Sequence, residues 1–228
     1  LKPMNTFSTH FFNCLFMSLA FTYSFTNSEA QISFLALGDS YTIGESVSEE
    51  DRWPNQLARA LNVKGIKCQK PTIIATTGWR TDDLAHAIRQ ADLTSDFQLV
   101  SLLIGVNNQY QGKSVEQYEK EFRELLVTAV KLAGGRPQRV FVVSIPDYGF
   151  TPFGKAKQTT ITNELNKFNE VNKRISQNAG VAWYHITDIS REGLNDPELV
   201  ASDGLHPSGK MYGLWVQRML EGVYDQLK

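Results

Sequence analysis

The stretch Arg139-Val140-Phe141-Val142-Val143-Ser144 sets four apolar side chains in succession. Neighbouring side chains of a strand point to opposite faces, so an unbroken apolar run needs both faces of its sheet covered. Outward from it, apolar runs at 32–37, 72–76, 99–104 and 181–184 are separated by amphipathic stretches at 53–61, 81–91, 115–133 and 160–178, with a last one at 209–227. Alternation of this kind predicts an α/β fold with a central parallel sheet, built from right-handed crossovers and clothed by helices on both faces. Ligands of such sheets bind beyond the carboxyl ends of the strands.

Polar motifs fall at those ends. Gly38-Asp39-Ser40 closes the first run, Gly78 follows the second, and Gly105-Val106-Asn107-Asn108 follows the third. Asp203-Gly204-Leu205-His206-Pro207 precedes the last amphipathic stretch. Ser40, His206 and Asp203 supply a hydroxyl nucleophile, an imidazole base and a carboxylate to orient that base. Three positions separate Asp203 from His206, so one tight loop can set the carboxylate against one ring nitrogen and leave the other for the serine. The Ser40 N–H, the Gly78 N–H and the Asn107 side-chain amide can donate to an oxyanion. Singly, each motif reads equally well as a turn or a helix cap.

In this order and spacing, the four blocks resemble the SGNH hydrolases, also called GDSL-type lipases and esterases, from about residue 32 to the last helix. The resemblance implies a flavodoxin-like three-layer α/β/α fold. It implies Ser40 as nucleophile, His206 as base and Asp203 as its orienter, with Ser40, Gly78 and Asn107 as the oxyanion hole. The chemistry implied is ester hydrolysis through an acyl-serine, with no metal and no organic cofactor. One departure stands at Asn108, where the family commonly has Asp.

Length and composition are compatible with this reading. The 228 residues are 42% hydrophobic, enough for one substantial core, and the formal charge of -1 leaves no basic footprint for nucleic acid or an anionic membrane surface. Residues 1–30 are almost uncharged, rich in Phe and Leu, and end in Ser28-Glu29-Ala30, which suits signal-peptidase cleavage. They are read as a secretory signal, with an uncleaved anchor as the alternative. A single domain is then expected over 31–228, secreted or periplasmic, with no stable membrane insertion after cleavage. Cys68 is the only cysteine of that part, so no internal disulfide or paired-cysteine metal site is expected there.

Substrate is read from the loops. Trp79, Tyr110, Tyr148, Phe150 and Phe153 stand on or near segments placed at the crevice and are candidates for substrate contact. The irregular stretch 146–157 is expected to line or cover the site. Small acyl esters of carbohydrates are the expected substrates, with a lysophospholipase- or thioesterase-type lipid hydrolase as the alternative. A non-catalytic carbohydrate-binding module on the same fold has no use for a nucleophile beside a base. A nucleotide- or flavin-binding protein lacks its phosphate cradle, because no Gly-x-Gly-x-x-Gly or Gly-Lys-Ser/Thr follows the first run.

Overall fold

The computed structural model describes residues 1, 3 and 31–228. The remaining residues of the expected signal segment lie outside the described residues. Five strands form one parallel sheet: β1 (Phe34–Gly38), β2 (Thr72–Ala75), β3 (Leu99–Leu103), β4 (Val140–Val143) and β5 (Ala182–Tyr184). Their spatial order is β2-β1-β3-β4-β5, the flavodoxin-like order, whose switch point lies between β1 and β3. The chain leaves β1 for one side of the sheet and returns to the other, opening a crevice beyond the ends of these two strands. All five residues of β1 and of β3 are buried, as are all four of β4, which is why these runs carry no polar alternation.

Eight helices complete the described chain: α1 (Ser40–Ile43), α2 (Trp53–Val63), α3 (Thr81–Gln90), α4 (Val106–Tyr110), α5 (Val115–Leu132), α6 (Gln158–Asn178), α7 (Thr187–Ser190) and α8 (Gly209–Leu227). The pair α2 and α8 packs together on one face, and α3, α5 and α6 pack in a row on the other. Under α2 and α8, Trp53 meets Phe34 and Phe141 with ring centroids 6.3 and 6.2 Å apart, and Phe141 meets Tyr184 at 5.6 Å. On the opposite face Tyr118 of α5 packs against Phe168 of α6 at 4.7 Å, and its hydroxyl donates to the Ile104 carbonyl at 3.0 Å. Buried positions of α5, namely Tyr118, Phe122, Leu125, Leu126, Ala129 and Leu132, recur at three- and four-residue spacing. Ser114 caps this helix by accepting from the Gln117 N–H, as Ser208 caps α8 by accepting from Met211.

The core is apolar and closely packed, so a large-to-small change such as Phe141→Ala would cost about 3–5 kcal/mol. Cys68 is buried and unpaired, and burial pushes its thiol up to about 11. Among the described residues no helix is long and apolar enough to cross a membrane.

Candidate active site

Beyond the β1 and β3 ends lies a cavity of about 180 Å³ lined by Ser40, Tyr41, Thr77, Gly78, Val106, Asn107, Tyr110, Tyr148, Phe153, Leu205 and His206. The lining residues come from the segments that follow β1, β2, β3 and β4 and from the loop ahead of α8. Ser40 opens α1 directly after β1, where the first-turn N–H groups of a helix have no intrahelical partner. Asp39 caps that helix by accepting from the Tyr41 N–H at 3.0 Å.

Gly78 follows β2 with φ 86°, a left-handed conformation that side chains with a Cβ rarely adopt. Gly105 follows β3, and a Cβ there would stand 2.6 Å from the Tyr118 ring, so only glycine lets the chain turn into α4. That turn delivers Asn107, whose Nδ2 donates to the Trp79 carbonyl at 3.0 Å. A carbonyl only accepts, so the bond fixes which end of the amide is which and leaves a second N–H for the cavity. Thr77 donates to Glu45, tying the Gly78 loop to the end of α1.

His206 is 8% exposed and forms an edge-on ring contact with Tyr41 at 5.7 Å. Its Nδ1 lies 2.6 Å from Asp203 Oδ2, which leaves Nε2 as the free nitrogen. Asp203 Oδ1 accepts the backbone N–H groups of Leu205 and His206, each at 2.9 Å, and Oδ2 also accepts the Ser46 hydroxyl at 2.7 Å. Partial burial acts to raise the Asp203 pKa, but donation from Ser46, the His206 ring and these backbone groups outweighs it and holds the carboxyl well below its usual range. The Ser40 hydroxyl and the His206 ring share the cavity without a direct hydrogen bond among the described residues. Catalytic hydrogen bonds are often long in ligand-free sites and tighten when substrate is bound.

A second aspartate, Asp39, is 1% exposed, and its Oδ2 has no hydrogen-bond partner. Burial raises its pKa to about 7, against the lowering effect of backbone donors including the Tyr41 N–H.

Of the five aromatic residues read from the loops, the structure brings Tyr110, Tyr148 and Phe153 to the cavity, with ring centroids 6.2 to 6.3 Å apart. Trp79 and Phe150 do not line it. Trp79 packs against the core and offers only its carbonyl to Asn107, while the Phe150 ring lies under the Arg191 guanidinium at 6.0 Å. Segment 146–157 is built around buried Asp147, whose carboxylate accepts from Gly149 N–H, Thr162 and Arg191. Phe153 N–H donates to the Gly204 carbonyl, fastening this segment to the His206 loop. The Tyr148 hydroxyl donates to Gln109, which in turn donates to Glu164. Tyr41, Thr77, Val106 and Leu205 also line the cavity, and sequence reasoning did not find them. Each adjoins a motif residue, which was the available signal. Among the described residues no group of three or more His, Cys, Asp or Glu side chains could hold a metal ion.

Solved structures similar to this one share its fold at low identity. A lipase/acylhydrolase from Enterococcus faecalis superposes with TM-score 0.67 at 17% identity, covering 86% of this chain and 97% of that one. An acetylxylan esterase from Geobacillus stearothermophilus gives 0.65 at 17%, covering 84% and 94%. A psychrotrophic esterase from a Pseudoalteromonas species gives 0.62 at 16%, covering 86% and 98%. No curated protein sequence matches the chain. The GDSL-like lipase/acylhydrolase family matches it over residues 36–214, a span that runs from the strand before Ser40 to beyond His206. The chain is a carboxylic ester hydrolase and belongs to the GDSL-like lipase/acylhydrolase family.

Proposed function

We propose that this protein is a secreted serine esterase that hydrolyses short acyl esters, acetyl esters of carbohydrates above all, through an acyl-Ser40 intermediate. The reading is carried by one arrangement: His206 held by Asp203 through Nδ1, in the same cavity as Ser40, Gly78 and Asn107. Ser40 Oγ attacks the ester carbonyl carbon as its proton passes to His206 Nε2. The carbonyl oxygen becomes an oxyanion that accepts from the Ser40 N–H, the Gly78 N–H and the Asn107 amide. Collapse breaks the bond to the alcohol, which leaves with the proton from His206. Water, deprotonated by the same imidazole, then releases the acid and restores Ser40. Asp203 orients the ring and stabilises its charged form without taking the proton.

Cavity size supports the short acyl group. The cavity is compact, about 180 Å³, which favours an acetyl to butyryl group over a long chain. At the rim Tyr110 and Phe153 are 59% and 53% exposed, offering flat faces to a sugar ring. The same scaffold serves the acetylxylan esterase. Secretion rests on the apolar, almost uncharged composition of residues 1–30 ahead of a domain spanning 31–228, and N-terminal sequencing of exported protein should begin near Gln31.

A fluorophosphonate probe tests the chemistry: the adduct should be found on Ser40 and be absent from Ser40→Ala. An active enzyme labelled elsewhere, or not at all, would overturn the assignment. A panel of acetyl, butyryl and octanoyl esters tests the substrate. The octanoyl ester should be the poorest, and a preference for it would instead favour a lipid hydrolase.

A further inference from the structure

Six residues after Ser40, Ser46 has φ 66°, the one positive value at a non-glycine position among the described residues. A Cβ makes that conformation costly, and glycine adopts it freely. Retaining a serine there calls for a use of its side chain. The Ser46 hydroxyl donates to Asp203 Oδ2 at 2.7 Å, joining positions 157 apart in the chain. The same oxygen faces His206 Nδ1 at 2.6 Å. Of the four donors around this carboxylate, three belong to its own loop, the N–H groups of Leu205 and His206 and the His206 ring. Ser46 alone comes from the segment that follows the nucleophile. Glu45, its neighbour, reaches the other way to Thr77 beside Gly78.

We propose that Ser46 is a positioning residue for the hydrolysis: its hydroxyl pins the Asp203 oxygen that faces His206 and ties the loop of the base to the loop of the nucleophile. The proposal rests on the roles given above to Ser40, His206 and Asp203. Without this donor the carboxylate can rotate away from the ring, and the imidazole spends less time aimed at Ser40. Ser46 does not line the cavity, so its loss should be felt in turnover and not in substrate binding.

Two replacements separate positioning from a turn role. Ser46→Gly removes the hydroxyl and relieves the backbone, while Ser46→Ala removes the hydroxyl and keeps the strain. Both should lower kcat by roughly tenfold, less than the ~10²-fold that a 1 Å misplacement costs, with KM within about twofold of the parent. Thermal stability should part company with activity, Ser46→Gly melting at or above the parent and Ser46→Ala below it. Full kcat in Ser46→Gly would overturn the proposal, since a residue serving only the turn is replaced by glycine without loss. Ser40→Ala is run beside them. If it is inactive while both Ser46 variants turn over normally, the role of Ser46 alone falls; if it keeps full activity, the reading of the whole site falls with it.

Discussion

Two loops of this enzyme carry an aspartate beside a proposed catalytic residue, and the fold treats them in opposite ways. Asp39, next to Ser40, is sealed behind α1 with one carboxylate oxygen bare, and burial lifts its pKa to about 7. Asp203, three positions before His206, is partly open to solvent and surrounded by four donors, which keep it ionised far below the usual carboxylate range. Environment, not residue type, assigns the work. A carboxylate that must balance an imidazolium has to remain charged, and only Asp203 is built to do so. Asp39 is built to cap the helix that presents Ser40.

The widest gap between the two should appear in turnover. Asp203→Asn keeps the shape and removes the charge that fixes the ring tautomer, so kcat should fall by about 10³–10⁴-fold. Asp39→Asn keeps an acceptor for the Tyr41 N–H, and its kcat should stay within about tenfold of the parent. Steady-state hydrolysis of a short-chain ester measures both. Equal losses in the two variants would break the contrast.

How much of this contrast could be read from the chain depends on the distance over which each feature is set. The sheet was legible because its strands are apolar on both faces, and the run read at 72–76 differs from Thr72–Ala75 by one residue. The helices α1, α4 and α7 were not, because four or five residues are too few to show a helical period. Ser40, Gly78 and Asn107 were legible as motifs at strand ends, and Asp203 and His206 as a motif ahead of the last helix. The bond from Ser46 to Asp203 was not, since nothing local marks a partner 157 positions away. Segment 146–157 read as irregular, yet it holds two short 3-10 turns, Tyr148–Phe150 and Lys155–Lys157, the first capped by Asp147, whose carboxylate is held by the distant Thr162 and Arg191. Tyr148 lines the cavity and Phe150 does not.

Stability against pH sharpens the contrast further. The pKa of Asp39 in the folded protein, about 7, lies above its ordinary value of 3.8, so the folded state holds that proton more tightly than the unfolded chain. Its contribution is therefore most favourable below about pH 4 and is lost as the pH rises to 7. For Asp203 the sign reverses: its stabilisation is present above the ordinary 3.8 and disappears as the pH falls below that value. Asp39→Asn should gain on the parent by about 2–4 kcal/mol between pH 5 and pH 8, since each pKa unit is worth about 1.4 kcal/mol. Urea unfolding at the two pH values tests it. Parallel stability curves would mean that Asp39 is not held protonated by burial.

The smallest expected effect comes from placing a third carboxylate where the family commonly has one. Asn108 is fully buried, accepts the Thr81 N–H at 3.1 Å and donates through Nδ2 to the Thr81 hydroxyl at 2.6 Å. That hydroxyl in turn donates to Glu121. The amide thus starts a one-way chain of donors that ends on an acid. In Asn108→Asp, two carboxylates compete for the single Thr81 proton, and one buried oxygen is left bare as in Asp39. We expect a loss of about 1–3 kcal/mol in unfolding free energy near pH 8, with kcat changed by less than about tenfold because Asn107 keeps its own bond to Trp79. Adding Glu121→Gln should restore the stability, because the new amide can donate to the Thr81 hydroxyl while that hydroxyl donates to Asp at 108. Failure of the double variant to recover would mean that donor direction is not what selects asparagine here, and that a buried carboxylate at this position is costly whatever group Thr81 donates to.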